Sequence, residues 1–144
     1  RTCLWTVHAR GSLEFPGLFY GLDADLAGTC DGAVYTLSPD HLEEGLDQLW
    51  RREMHAGVYE PRWLGLETEA GPVPALTFVV NRTHPQYAGS LDLETSARYI
   101  AAATGKFGSC ADYYAATEAA LRAEGLDDPT LSTLTRRIHA LSEN

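Results

Sequence analysis

Apolar residues recur with two different periods along this chain. In the first half they form short runs rich in Val, Leu, Phe, Tyr and Trp, bounded by Gly, Pro and Asp, the pattern of strands. On that ground Thr2–His8 (TCLWTVH), Phe15–Leu22 (FPGLFYGL) and Cys30–Leu37 (CDGAVYTL) are expected strands. Two more follow an intervening helix, in GVYEPRWLGLET and PALTFVVNR. Pro61 lacks a backbone donor, which makes an edge position or a bulge the expectation for the first of these. In the second half the period lengthens to that of a helix. Leu93, Ala97, Ile100, Ala101 and Thr104 fall on one face of 90–104, and Gly105 stops it. A second helix is expected from Cys110 to Glu124 with Gly125 after it. A third follows Asp128-Pro129, an N-cap and a first-turn proline, with Leu131, Leu134, Ile138 and Leu141 as its stripe. The expected fold class is α+β: a small mixed sheet or barrel of five or six strands, one inserted helix, and a helical C-terminal layer.

The inserted helix carries the one position that breaks its own pattern. Ser38 and Pro39 signal its start, Leu37 and Leu42 are spaced for a hydrophobic staple, and Gly57 signals its end. With about 100° per residue and Leu42 at zero, Leu46, Leu49 and Trp50 share one apolar face, whereas Glu44, Asp47, Gln48, Arg51 and Arg52 point the other way. Glu53 falls at about 20°, on the apolar face. Three readings are open from the projection alone. The helix ends near residue 52 and Glu53 turns into water. Glu53 is buried and paired with Arg10, Arg62 or another cation. Or Glu53 is a desolvated carboxylate lining a pocket, where withdrawal from water makes a carboxylate a better proton acceptor near neutral pH.

Composition narrows the classes. The 144 residues suffice for one domain with a core, and 44% are hydrophobic. A net charge of -9 argues against a nucleic-acid or anionic-membrane surface. No apolar run approaches the roughly 20 residues of a membrane helix. Cys3, Cys30 and Cys110 are widely spaced with no CxxC pair, so buried thiols are expected rather than a zinc or redox motif. The five histidines show no ligand spacing, and no metal site is expected. Tyr113 and Tyr114 read as core, and Cys110 as an inert thiol.

Four ordered blocks carry a resemblance. CLWTVHARGSLEFPGLFYGLD, LWRREMHAGVYEPRWL, ALTFVVNRTHPQYAGSL and GSCADYYAAT together resemble the ChaC-type γ-glutamylcyclotransferases, the glutathione-specific branch. The resemblance implies a γ-glutamylcyclotransferase-like fold and cleavage of glutathione, without water, to 5-oxoproline and Cys-Gly. It implies Glu53, the acid of the RE pair, as general acid/base. It places Tyr87, of the HPQYAG block, and more weakly Tyr59 near the substrate. Arg10 is a further candidate, since an arginine fork suits a carboxylate of the tripeptide. No cofactor is implied; the expected partner is glutathione or a related γ-glutamyl peptide, and the protein is expected to be a cytoplasmic monomer.

The family opens with a YGSL-type strand and loop ahead of the first block, and the given residues begin at Arg1, just before that block. A single domain that is N-terminally incomplete, a piece of a longer chain, is therefore the expectation for residues 1–144. Gly11–Leu13 (GSL) lies after the Cys3-Trp5 block and follows Arg10, so it does not replace the loop. Two other functions stay open: a non-catalytic γ-glutamyl-binding or cation-transport-related regulatory domain, and the same cyclisation on other γ-glutamyl amines.

Overall fold

The structure, a computed structural model, describes residues 1–142. In chain order its elements are β1 (Thr2–Thr6), β2 (Gly17–Tyr20), a 3-10 turn (Pro39–His41), α1 (Leu42–Met54), β3 (Tyr59–Thr68), β4 (Gly71–Val80), α2 (Leu93–Ala102), β5 (Thr104–Gly105), β6 (Gly108–Ser109), α3 (Cys110–Ala123) and α4 (Pro129–Ser142). They fall into two compact units, one of residues 1–21 with the described part of 88–144, the other of residues 22–87. The class is α+β as expected. The strands, however, do not join into one sheet or a barrel. Among the described residues they form three separate antiparallel pairs, β1–β2, β3–β4 and β5–β6.

The first unit holds the apolar core. Leu18 of β2, Ala97 and Ile100 of α2, Cys110 and Tyr114 of α3, and Leu131, Leu134 and Ile138 of α4 are buried together. The α4 stripe read from the sequence is thus the buried face. Each helix begins on a side-chain cap: Asp92 accepts from Thr95 N at 2.8 Å, Ser109 from Asp112 N at 3.0 Å and Asp128 from Leu131 N at 2.9 Å. Such caps contribute about 1 kcal/mol each. Tyr114 is fully buried, and its hydroxyl donates to Thr2 Oγ1 at 2.9 Å, which ties α3 to β1. Burial drives the Tyr114 phenol pKa well above its ordinary value.

Between α2 and α3 the chain makes a short hairpin that the helical pattern did not foretell. Lys106 N and Phe107 N donate to the carbonyls of His8 and Ala9 at 2.8 and 2.9 Å. Backbone meets backbone closely here. A Cβ on Gly105 would lie 2.5 Å from Gly11 N and 2.6 Å from His8 O, so only glycine fits. Gly11 is itself buried in the same contact, which gives the GSL stretch a packing role.

The second unit is a long hairpin plus α1. β3 and β4 pair without a bulge from Tyr59↔Val80 to Thr68↔Gly71. Pro61, Pro72 and Pro74 oppose Phe78, Glu67 and Gly65, so all three fall in the same alternate class of pairs. In an antiparallel ladder every second pair points its backbone groups outward, and a residue with no N–H costs nothing there. Pro61 therefore sits in an edge strand, as its missing donor requires.

Three expectations fail in this unit. Cys30–Leu37 forms no strand; it is irregular and exposed, and Cys30 with it, whereas Cys3 and Cys110 are buried. A CDG start and a lone AVY run leave too few pairing residues, and no neighbouring strand supports them. Ser38 makes no side-chain cap; the chain enters α1 through the 3-10 turn, and Leu37 lies over Gly45. Lastly, α1 buries no residue: Leu42, Leu46 and Trp50 are 45, 38 and 49% exposed. The apolar face is present in sequence but is only half covered.

Two consequences can be measured. Tyr114→Phe is expected to cost about 1 kcal/mol in urea unfolding, the hydrogen bond to Thr2, and Tyr114→Ala about 3–5 kcal/mol through the cavity it leaves. The second concerns acid. Arg137 of α4 clamps Glu94 of α2 through contacts of 2.7 and 2.9 Å and holds its pKa down to about 2, with a further contribution from Arg98. A carboxylate lowered on folding adds stability that is complete above its ordinary value of 4.5 and lost as pH falls toward about 2. Glu94→Gln should lower the melting temperature at neutral pH, and its deficit should vanish across that acid window.

Candidate functional site

Glu53 lies in the last turn of α1, which runs on through Met54. The helix thus does not end before it. Its side chain is 20% exposed, so most of it is covered, and Oε1 takes a 2.6 Å hydrogen bond from Arg52 Nε. The partner is the adjacent arginine rather than Arg10 or Arg62. Arg52 is itself 74% exposed. A pair so open to water contributes little, about 0–1 kcal/mol, and leaves the carboxylate able to change partners.

Past Met54 the chain turns sharply. Gly57 has φ +68°, a left-handed conformation natural to glycine, and its N–H bonds the Met54 carbonyl at 3.2 Å. Tyr59 then opens β3 opposite Val80, and it is partly buried. Asn81, just past β4, fastens this turn. Its backbone N–H donates to Val58 O at 2.8 Å and its amide to Gly57 O at 3.3 Å. Its Oδ1 accepts from both the N–H and the hydroxyl of Thr83 at 3.0 and 2.8 Å. The end of α1 and the start of β3 are thus tied to the start of the 81–87 loop.

Tyr87 closes that loop. His84 N bonds Asn81 O and Tyr87 N bonds His84 O, two successive turns that carry His84 and Pro85. The Tyr87 hydroxyl donates to Asp23 Oδ2 at 3.0 Å, and Arg82 Nε donates to Asp23 Oδ1 at 2.6 Å. A second Arg82 nitrogen bonds the Ala24 carbonyl. The Asp23 side chain is only 3% exposed. Val80 N also bonds Leu22 O at 2.8 Å, which sets residues 22–24 beside the end of β4. Glu53, Tyr59 and Tyr87 are therefore carried by segments of one unit that share a hydrogen-bonded frame.

Arg10 belongs to the other unit. Its guanidinium donates to the Ser109 carbonyl at 3.2 Å and packs against Gly108. Cys110 is sealed in the core, its thiol on Leu18 O at 3.1 Å and its pKa raised by burial, the setting of an inert thiol. Among the described residues no three His, Cys, Asp or Glu side chains gather as metal ligands. No described helix is long and apolar enough to cross a membrane.

Asp23, Asn81 and Arg82 escaped the sequence reading. Asp23 ends the FYGLD run and the other two end VVNR, so each sits at the close of an apolar strand-like stretch. That placement hints at a strand-end role. The pairing of Asp23 with residues 59 and 64 positions later leaves no local trace.

The model of the family described as "ChaC-like protein" matches residues 1–141. The chain belongs to this family. Among curated proteins it is similar to the glutathione-specific gamma-glutamylcyclotransferase of Escherichia coli strain K12, at 35% identity over 133 residues, which is 92% of this chain and 57% of that protein. It is also similar to gamma-glutamylcyclotransferase 2-3 of Arabidopsis thaliana, at 28% identity over 94% of this chain and 72% of that one. The ChaC-like chain thus spans a little over half the length of its bacterial relative. Two crystal structures of the yeast γ-glutamylcyclotransferase specific to glutathione share its fold. Their TM-scores are 0.79 and 0.76 at 19% identity, and they match 97 and 99% of this chain and 82 and 85% of theirs.

The frame around Gly57 can be probed directly. Asn81→Ala keeps the backbone bond to Val58 but removes the side-chain bonds to Gly57 and Thr83. It should cost about 1 kcal/mol and speed amide exchange at Thr83 more than at the β3–β4 pairs. Equal exchange in both proteins would show that Asn81 does not hold the turn.

Proposed function

We propose that this ChaC-like chain carries the acid/base centre of a glutathione-degrading γ-glutamylcyclotransferase, with Glu53 as the proton carrier. The observation that carries the reading is the state of Glu53: a largely covered carboxylate at an ordered helix end, inside the RREM block, whose partner among the described residues is an exposed arginine. The relatives' activity supports the substrate class, since the bacterial protein is glutathione-specific.

The chemistry needs no nucleophile from the protein. The α-amine of the γ-glutamyl group attacks its own γ-carbonyl, and a five-membered lactam forms as the amide C–N bond breaks. The attacking nitrogen, an ammonium when bound, gives up two protons on the way to the lactam N–H, and the departing cysteinyl nitrogen gains two on the way to its own ammonium, so a single carboxylate that accepts and returns protons in turn balances the step. Holding the γ-glutamyl chain curled supplies much of the acceleration, through proximity. Tyr87 and Tyr59 are proposed to contact the γ-glutamyl head. The proposed clamp at Arg10 would draw on those guanidinium N–H groups not directed at Ser109. The reaction calls for no metal or redox group. A reducing cytoplasm, where glutathione is held as the thiol, suits both the substrate and the exposed thiol of Cys30, and a monomer suffices for a site built on one chain.

Incubation with glutathione and detection of 5-oxoproline and Cys-Gly by mass spectrometry tests the reading. Glu53→Gln is expected to lower kcat by about 10²–10⁴ with KM little changed. Equal rates in the two proteins would remove Glu53 from the role. Binding of glutathione with no product from the unaltered chain would instead favour a γ-glutamyl-binding module.

A further inference from the structure

We propose that Asp23 is a positioning residue that fixes the polarity of the Tyr87 hydroxyl, so that Tyr87 recognises the free α-ammonium of a γ-glutamyl substrate. The inference rests on the reading that Tyr87 meets the γ-glutamyl head, and adds to it which group is read and by what means.

The argument starts from proton counting. A tyrosine hydroxyl has one proton to give and lone pairs to receive. Here that proton goes to Asp23 Oδ2 at 3.0 Å. Asp23 cannot reverse the bond, because an ionised carboxylate only accepts. It is kept ionised by Arg82, whose Nε lies 2.6 Å from the other oxygen, Oδ1. The carboxylate is 3% exposed, so water does not compete freely for it. Any ligand group that meets the Tyr87 oxygen must therefore be a donor. The γ-glutamyl head offers two charged groups, an α-ammonium and an α-carboxylate. Only the ammonium donates. The buried negative charge of Asp23 behind the phenol acts in the same direction, since it attracts a cation and repels a carboxylate.

This arrangement selects a substrate class: γ-glutamyl compounds with a free α-amine, the group that must attack the γ-carbonyl. A deamino or N-acylated analogue lacks the feature being read. It would be refused at binding as well as being unable to cyclise.

The test separates recognition of the amine from general damage. Glu53→Gln protein, used so that the peptide is not consumed, is titrated calorimetrically with glutathione and with glutaryl-Cys-Gly, which differs only by loss of the α-amine. Tyr87→Phe, added to that background, is expected to weaken glutathione binding by about ten- to a hundredfold, the range of a hydrogen bond to a charged group, and to leave glutaryl-Cys-Gly within about twofold. Asp23→Asn should do the same, because an asparagine amide can donate to the phenol and turn its proton outward. Arg82→Gln removes the guanidinium that keeps the covered Asp23 carboxylate ionised, so a protonated Asp23 could donate to the phenol, and the preference for glutathione should shrink. Equal losses for both peptides in Tyr87→Phe would overturn the proposal and reduce the residue to a structural part. Should Asp23→Asn fail to fold, Tyr87→Phe and Arg82→Gln still decide. If neither peptide binds the Glu53→Gln parent, the underlying reading falls, and the proposal with it.

Discussion

The buried carboxylate of Asp23 is the fixed point on which the candidate site depends. The unit of residues 22–87 buries little apolar surface; Val79 and Val80 are its only buried hydrophobic residues among those described. Hydrophobic burial cannot by itself hold its loops in place. A carboxylate withdrawn from water must be matched by donors, or it costs several kcal/mol. Asp23 meets that demand by drawing Arg82 and Tyr87 to it, and so fixes the start of the unit against the loop that ends it. Asn81 does a similar job with neutral bonds at the α1–β3 turn. Position here is set by polar constraints, which are directional, where an apolar core would set only proximity.

The other unit is organised in the opposite way. Its helices pack on Tyr114, Ile100 and Leu131, and its backbone segments approach so closely at Gly11 and Gly105 that side chains are shut out. That difference explains why one half of the fold was legible from the sequence and the other less so. Periodicity reports burial of a face. It found α2, α3 and α4, with the stripes of α2 and α4 and the Asp128 cap, because those faces are buried; the caps Asp92 and Ser109 it did not mark. It found β3 and β4 from β-rich composition and left Pro61 an edge or a bulge, of which the edge is the outcome. For Cys30–Leu37 and for the apolar face of α1 the same signals were present without the burial they imply. The short β5–β6 hairpin, held by backbone bonds to His8 and Ala9, has no pattern of its own.

The candidate site shows the same division. Glu53 stood out because it contradicts a helical pattern, which is a local signal, and the four-block resemblance gave that contradiction a meaning. The projection left open an ion pair with a distant arginine; the partner is instead Arg52, next in the chain. Asp23 contradicts nothing local. It follows Gly and Leu at the end of a strand-like run, where an acid is ordinary, and its importance lies in contacts 59 and 64 residues away. A single sequence carries no sign of such a pair.

Two carboxylates in one unit are thus set up for different work by their surroundings. Asp23 is almost wholly covered and held by a guanidinium and a phenol; a group so committed can orient its neighbours but is poorly placed to exchange a proton during a reaction. Glu53 is also mostly covered, yet its one described partner is a surface arginine that water can replace. A proton carrier must accept and release within a single turnover, and it gains from a site that shields it without trapping it. The proposed reaction asks the protein for little else. Its nucleophile, electrophile and leaving group are all parts of one substrate, so what remains is to hold that substrate curled and to carry protons from the attacking nitrogen to the departing one. A rigid acceptor behind Tyr87 and a loosely held acid at the end of α1 are the two properties that such chemistry requires.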